Sequence, residues 1–353
     1  MIVVDAHEDI AYNALRFGRD YRRSAYDIRA AEGGTSSNGI ATTGLPNALL
    51  GRVAVTFATL FVAPDGSPGM LDDSPKYKTP GEAYEQAIKQ IDYYHRLADE
   101  TDKIRLIYSR ADLDAVLATW EDGVPAEQHV QGLVILMENG DPILEPKQFE
   151  EWYERGVRVV GPAWTASRYC GGTQAPGGLT ALGCELLDVL AGFNVILDLS
   201  HMAEQSYLEA VDAYEGVIIA SHSNPRKFRN TDRHLSDDMI RRLAERDGVM
   251  GIVPYNRFLS ETWQPGDRKA DVPLSVVLAA IDHVCQVTGS AQHVGFGSDF
   301  DGGFGVASIP EGLDTITDLL TIGDHLRTRG YAEGDIEAIL GGNWLRKLRQ
   351  TLP

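Results

Sequence analysis

The fold is decided by residues 195–223, which read VILDLSHMAEQSYLEAVDAYEGVIIASHS. Two aliphatic, β-branched runs at 195–199 and 217–220 enclose residues 203–214, where apolar side chains recur at 3.6-residue spacing. This pattern predicts a strand, a helix and a second strand. Because a helical crossover joins parallel strands, the unit belongs to a parallel α/β sheet.

The same alternation extends over the rest of the chain. Eight apolar runs have the length of strands, at residues 2–6, 53–62, 133–137, 157–161, 195–199, 217–220, 249–253 and 294–297. Besides 203–214, helical spacing occurs at residues 81–99, 179–192, 236–246 and 274–288. Eight alternating units favour an α/β fold with a single (β/α)8 TIM barrel domain over residues 1–353, rather than an open doubly wound sheet.

Two βα loops and the C-terminal segment lie outside this regular pattern. Long loops follow the first strand, at 18–50, and the second, at 63–80. They emerge where barrels build their sites, so we expect either a lid or rim or a plain surface excursion. Residues 341–348 predict a closing helix with Asn343 as its N-cap.

Composition excludes several kinds of partner. The chain has 51 Asp+Glu against 32 Lys+Arg, a net charge of −19, which disfavours nucleic acid and anionic membrane surfaces. No run approaches the roughly 18 apolar residues of a membrane helix. Residues 1–7 lack signal-peptide features, so we expect a cytoplasmic protein. The spacing of Cys170, Cys184 and Cys285 indicates free thiols rather than a disulfide framework or thiolate zinc site.

Histidines mark the carboxyl ends of predicted strands. His7 and Asp9 follow the first strand, and alternate residues of an extended chain face the same side, so both can meet one cation above the barrel mouth. His201 and His222 occupy equivalent positions after the fifth and sixth strands. Taken singly, each histidine could be a core residue whose ring nitrogens are hydrogen-bonded.

Carboxylates follow two further strands. Glu138 ends the third strand, where burial without a partner would cost several kcal/mol, so it reaches solvent or holds a cation or an arginine. Asp299 follows the eighth strand and could accept a proton from a metal-bound water or hold a substrate amine. Asp301, beside Gly302, could instead serve only a turn.

Together these strand ends offer three imidazoles and three carboxylates at one face of the barrel. That inventory suits two divalent cations bridged by one carboxylate, and the ligand types match zinc. Such a pair lowers the pKa of a bridging water until hydroxide is available near neutral pH, and it polarises a carbonyl. The predicted reaction is therefore hydrolysis.

Several segments also resemble the membrane (renal) dipeptidase family of zinc peptidases, peptidase family M19, within the amidohydrolase superfamily. The resemblance extends over nearly the whole chain and rests on DAHED at 5–9, ENG at 138–140, DLSH at 198–201, SHSN at 221–224, GSDFDG at 297–302 and GNWLR at 342–346. It implies that His7 and Asp9 bind one zinc ion, His201 and His222 the second, and that Glu138 bridges both. Mn²⁺, Fe²⁺ or Co²⁺ would suit the same donors.

The resemblance further implies that Asp299 is the general acid/base and that an arginine grips the substrate's terminal carboxylate. The Arg-Asn dipeptide at 229–230 favours Arg229, whereas the Asp-Asp pair at 237–238 favours Arg233, which we expect to be the binding residue. Trp164 stands where well-known members carry an oxyanion-binding histidine; its indole donates one neutral hydrogen bond, or it only packs at the barrel mouth. Tyr255, after the seventh strand, either lines the pocket or is a rim residue without a role.

The resemblance implies a dipeptidase that cleaves short peptides, including L-Xaa-D-Xaa, and that forms a homodimer. The exchange at Trp164 and the long loop at 18–50 motivate one alternative, a binuclear amidohydrolase acting on another amide or ester such as an N-acyl amino acid or a lactone. A metal-dependent binding protein without turnover is an alternative of another class. Asp299 speaks against it, because a binding site has little need of an extra proton acceptor.

Overall fold

The computed structural model describes residues 1–34, 36–67 and 74–353. Within these ranges eight parallel strands form the barrel: β1 Val3–Glu8, β2 Val53–Phe61, β3 Gln131–Glu138, β4 Val157–Gly161, β5 Ile196–Asp198, β6 Ile218–Ala220, β7 Val249–Ile252 and β8 Val294–Phe296. Each strand pairs with the next, and Asp5 of β1 aligns with Phe296 of β8. This last pairing closes the sheet, so the predicted TIM barrel is confirmed.

Short strands accompany the barrel. Ile104–Leu106 pairs in parallel with the start of β3, and the sequence did not predict it because three residues give no periodic signal. Ala63–Pro64 pairs with Lys76–Tyr77 inside the second long loop, and residues 68–73 of that loop lie outside the described residues. Cys170–Gly172 and Ala175–Leu179 form an antiparallel hairpin after β4.

The helices fill the connections between the strands. The α-helices are Ile10–Phe17, Ala25–Ala31, Leu45–Leu50, Pro80–Asp99, Arg110–Ala118, Phe149–Glu154, Ala181–Gly192, Glu204–Ala213, Asp237–Glu245, Asn256–Leu259, Ser275–Thr288, Ile322–Thr328, Glu333–Glu337 and Asn343–Thr351. Short 3-10 helices are Ala126–Gln128, Pro146–Gln148, Lys269–Asp271, Ala291–His293, Val306–Ser308 and Ile316–Thr321, and Ala338–Gly342 is π-helical. All five predicted helical stretches are confirmed, and no end is shifted by more than two residues.

Local chemistry explains several helix starts. The Thr79 side chain accepts a hydrogen bond from the amide of Glu82, and Pro80 takes the first helical position. Thr180 and Ser236 cap their helices in the same way. None of the helices in the described part of the chain combines the length and the apolar character needed to cross a bilayer.

Apolar side chains pack on both faces of the barrel sheet. β2 and β3 are buried along their whole length, as expected for parallel strands covered on both faces. Phe57 packs edge-on against Trp344 of the C-terminal helix, at 5.8 Å between ring centroids. A side chain at Gly295 would come within 2.4 Å of the Trp344 indole nitrogen, so a glycine is required there.

The expected cap at Asn343 is wrong. Asn343 has helical dihedrals, φ −64° and ψ −41°, within a helix that continues from the π-helical turn. Its buried amide instead donates to the carbonyls of Ala291 and Val294, both at 2.8 Å. The side chain therefore fixes the last helix to the segment that leads into β8.

The long loop after β1 forms part of the rim. It carries the helices Ala25–Ala31 and Leu45–Leu50, and its Ser37 and Asn38 line the cavity described below. The loop packs directly on the segment after β8, where a side chain on Gly39 would lie 2.5 Å from the backbone nitrogen of Gly305. Cys170, Cys184 and Cys285 are free thiols, as predicted.

Candidate active site

A cavity of about 440 Å³ opens at the carboxyl ends of the barrel strands. His7 lies just behind its wall and is only 1% exposed. The other predicted site residues line it directly: Asp9, Glu138, Trp164, His201, His222, Arg233, Tyr255 and Asp299. The structure therefore brings together residues from β1 and β3 and from the loops that follow β1 and β4 to β8.

One oxygen of Glu138 faces two histidines. Glu138 Oε1 lies 3.2 Å from His201 Nε2 and 3.3 Å from His222 Nε2. These two nitrogens are 3.0 Å apart. Donors around a tetrahedral zinc ion with bonds of about 2.0–2.1 Å are separated by about 3.3 Å, so the spacing fits a shared cation.

The other Glu138 oxygen faces a second set of donors. Glu138 Oε2 lies 3.4 Å from His7 Nε2, a buried nitrogen without a hydrogen-bond partner among the described residues. His7, Asp9 and Asp299 place one ligand atom each within 4.8 Å of one another, and so do His7, Glu138 and His222. Glu138 thus stands between two donor groups, an arrangement that fits two cations with one bridging carboxylate.

The charges of these groups are strongly coupled. Burial opposes charge on Glu138, but His7 and the other two histidines hold its pKa well below the usual range. Burial alone would lower the pKa of His7, whereas Glu138, Asp299 and Asp9 raise it to about 9. Burial, reinforced by Glu138, raises the pKa of Asp9 to about 6. The carboxylates therefore demand nearby positive charge, which a bound cation would supply in place of the proton on His7.

Hydroxyl groups orient the ligand side chains. The Ser221 hydroxyl lies 2.8 Å from His222 Nδ1 and donates to Asp198 Oδ2 at 2.5 Å. The Thr173 hydroxyl lies 3.0 Å from His201 Nδ1. Such partners fix the orientation of a metal-binding imidazole.

Thr59 and Thr173 are the functional residues that the sequence did not reveal. The Thr59 hydroxyl donates to the carboxylate of Asp9 across fifty positions of the chain, and Thr173 reaches His201 from the hairpin after β4. Neither threonine stands in a motif. Ser221, by contrast, directly precedes His222, and this adjacency was the available signal.

Two site residues have an unusual backbone conformation. His201 has φ 64° and Asp299 has φ 55°, values that residues other than glycine adopt rarely. The amide of Asp299 donates to the His7 carbonyl at 3.1 Å. Burial, together with Asp9, raises the pKa of Asp299 well above its usual range. These surroundings favour the protonated form of the Asp299 carboxyl group.

Both arginine candidates reach the cavity. Arg233 is buried and donates to the His222 carbonyl at 2.6 Å and to the Ser223 hydroxyl at 3.1 Å. Arg229 donates to the Ser260 carbonyl at 2.9 Å and lines the same cavity. The structure thus does not force a choice between the two cations.

Two pairs of aromatic rings form parts of the cavity wall. Trp164 contacts Phe61 edge-on, at 5.1 Å between centroids, and its ring lies 5.9 Å from that of His201. Tyr255 stacks on Phe304 at 4.2 Å with a 6° angle between the planes. Trp164 therefore lies beside the histidines, where both a hydrogen-bonding and a packing role are open to it.

Imidazoles and carboxylates collected at the carboxyl end of a TIM barrel, with a carboxyl group that can carry a proton, define a metal-dependent hydrolase. Residues 1–352 match the family model of the membrane dipeptidases, peptidase family M19. The chain therefore belongs to this family.

Individual relatives agree with this assignment. A Klebsiella pneumoniae protein named "Uncharacterized protein in pqqA 5′ region" is 30% identical over 283 residues, 77% of this chain and 98% of that protein. An uncharacterized dipeptidase of Schizosaccharomyces pombe is 26% identical over 361 residues, 99% of this chain and 80% of that protein.

Solved structures share the fold. A Rhodobacter sphaeroides metallopeptidase, solved with a phosphinate mimic of the dipeptide L-Ala-D-Ala, has a TM-score of 0.80 at 23% identity. The match covers 99% of both chains. A Pseudomonas aeruginosa amidohydrolase has a TM-score of 0.74 at 18% identity and covers 99% of this chain and 96% of that one.

Proposed function

We propose that this protein is a dipeptidase of one domain, residues 1–353, that hydrolyses short peptides, including L-Xaa-D-Xaa, with two zinc ions. The position of Glu138 carries the proposal, because its two oxygens face two different sets of donors. The ligand of the Rhodobacter sphaeroides neighbour, a mimic of L-Ala-D-Ala, supports a dipeptide with a D-residue as the substrate. A cytoplasmic location and a homodimer remain predictions.

The metal ligands are assigned as the sequence suggests. His7 and Asp9 hold one ion, His201 and His222 hold the other, and Glu138 bridges them. When bound, two such ions supply a deprotonated water near neutral pH and polarise the scissile carbonyl. Zinc suits imidazole and carboxylate donors at this spacing, and Mn²⁺, Fe²⁺ and Co²⁺ are the alternatives that metal analysis distinguishes.

The remaining residues bind substrate and move a proton. Asp299 takes the proton released during attack and passes it to the leaving amine, a role suited to its raised pKa. Arg233 holds the C-terminal carboxylate of the substrate, because the guanidinium fork matches a carboxylate. Trp164 donates its indole N–H to the carbonyl oxygen as it gains negative charge, and Tyr255 forms part of the pocket wall.

The test combines metal analysis with activity. We expect protein purified without a metal-binding tag to hold about two equivalents of zinc by mass spectrometry. The same sample should hydrolyse dipeptides with an L-residue followed by a D-residue. In the Asp299→Asn variant we expect the zinc content to stay at about two equivalents while kcat falls about 10²–10⁴-fold.

Other outcomes would redirect the proposal. Two bound metal ions without peptide turnover would move the assignment to an amidohydrolase of another substrate class, such as N-acyl amino acids or lactones. An Asp299→Asn variant with normal metal content and the parent rate would refute the proton transfer. Protein that binds no metal even after reconstitution would overturn the mechanism.

A further inference from the structure

Three arginines line the cavity without a carboxylate partner. Arg229, Arg233 and Arg257 make no ion pair with any carboxylate in the described ranges. Elsewhere on the same segment Arg226 pairs with Glu204 at 2.5 Å. In a chain of net charge −19, partners for cations are abundant, so unpaired guanidinium groups in one cavity indicate that an anionic ligand completes them.

One arginine suffices for one carboxylate. Arg233 is buried beside the metal ligands, and its bonds to His222 and Ser223 leave three of its five N–H donors, including a buried Nε without a partner among the described residues. It holds the main-chain carboxylate in the function proposed above. Arg229 uses one donor on the Ser260 carbonyl and is thus a second, separate carboxylate binder.

His234 and Asp232 line the cavity together with Arg229. Arg226 donates to the His234 carbonyl at 2.7 Å, and burial, together with Arg233, Arg229 and Arg226, lowers the pKa of His234 to about 3. His234 also lines the cavity, and its buried Nε2 has no hydrogen-bond partner in the described residues. The neighbouring acid, Asp232, is exposed and accepts a hydrogen bond from the Gln174 amide at 2.6 Å.

We propose that the substrate of this site carries an acidic side chain on its C-terminal residue. Arg233 binds the main-chain carboxylate, Arg229 binds the side-chain carboxylate, and the exposed Arg257 adds positive potential at the mouth. This inference rests on the proposed dipeptidase function. It identifies the preferred class as short peptides that end in a D-aspartyl or D-glutamyl residue.

The test compares substrates that differ in charge but hardly in shape. The zinc-loaded enzyme is assayed with L-Ala-D-Glu, L-Ala-D-Gln and L-Ala-D-Ala. Hydrogen bonds to charged groups contribute about 1.5–3 kcal/mol, so we expect kcat/KM for the D-Glu peptide to exceed that for the D-Gln peptide about tenfold or more. Arg229→Met should reduce this ratio to about one, because only the contact with the side-chain carboxylate is lost.

Lys227→Met is the matched control. Lys227 is an exposed cation two positions earlier on the same segment and is not part of the cavity lining, so its removal should leave the Glu/Gln ratio at the wild-type value. Measurable turnover of the D-Gln peptide by Arg229→Met shows that the variant is folded. A Glu/Gln ratio that falls equally in both variants would indicate general electrostatics and overturn the proposal.

The failures of the two proposals are distinguishable. Equal kcat/KM for the D-Glu and D-Gln peptides in the wild-type enzyme would refute the acidic preference and leave the dipeptidase function intact. A wild-type ratio that persists in Arg229→Met would also refute the role of this arginine. Absence of turnover with all three peptides by enzyme holding two zinc ions would refute the dipeptidase function, and the acidic preference with it.

Discussion

Arg19→Met should remove an ion pair between the long loop after β1 and the loop that carries Asp299, and so lower the free energy of unfolding. Arg19 is only 4% exposed, and its Nη1 lies 3.1 Å from Oδ2 of Asp301. The same guanidinium binds Glu32 at 2.8 Å and the Gly39 carbonyl at 2.6 Å. Because Asp301 is two residues from Asp299, this ion pair connects the rim loop to the segment that carries the carboxyl group proposed to transfer the proton.

The magnitude follows from the burial of Asp301. Its side chain is 1% exposed, so methionine at position 19 leaves an uncompensated carboxylate inside the protein. Breaking a buried pair in this way costs about 3–5 kcal/mol. The Thr42 amide and hydroxyl still donate to Asp301 at 2.7 Å, which places the expected loss near the lower end, about 3 kcal/mol.

Equilibrium urea denaturation measures this loss, and a double-mutant cycle attributes it to the pair. Asp301→Asn removes the stranded charge, so the double variant should be more stable than the sum of the single effects predicts, by at least about 1 kcal/mol. Arg22→Met is the control, because Arg22 is 43% exposed and its pairing contributes about 0–1 kcal/mol. A loss below about 1 kcal/mol for Arg19→Met, or strict additivity, would refute the reasoning.

Three further predictions concern the metal, a buried lysine and Trp164. Chelation should lower the melting temperature in calorimetry, since free zinc at about 100 times its Kd contributes about 2.7 kcal/mol; an unchanged value would argue against a specific site. Asp247→Ala should cost about 1–2 kcal/mol at pH 7 in urea titrations, because Asp247, itself 53% exposed, is 2.5 Å from the buried Lys347 ammonium. Against the effect of burial, Lys347 lowers the pKa of Asp247, so this contribution is present above about pH 4 and disappears below it; an equal difference at pH 3 would contradict the pairing. Trp164→Phe keeps a ring against Phe61 but removes the N–H, so kcat should fall about 10²-fold in steady-state assays, and the parent kcat would assign Trp164 to packing.

The convergence of the proposed metal ligands could be predicted because the barrel topology determines where the strand ends lie. Once strands are parallel and closed, every carboxyl end lies at the same face, so His7, Glu138, His201 and His222 converge although up to 215 positions separate them. Strand and helix periods are local properties of the sequence, and they located all eight strands of the barrel. The short strand Ile104–Leu106 was missed because it is defined by its pairing with β3 rather than by its own pattern.

What the sequence could not predict depends on approaches between distant segments. Thr59 and Thr173 contact the proposed ligands Asp9 and His201 only because their elements pass beside them, and an isolated threonine carries no sign of such a contact. At Asn343 a local signal was present, but contacts between distant segments overrode it. An asparagine after two glycines is typical of a helix start, yet the buried carbonyls of Ala291 and Val294 required a donor, and satisfying them outweighed the local preference. Unsatisfied polar groups in the folded protein, rather than local propensity, therefore decide the roles of these polar residues.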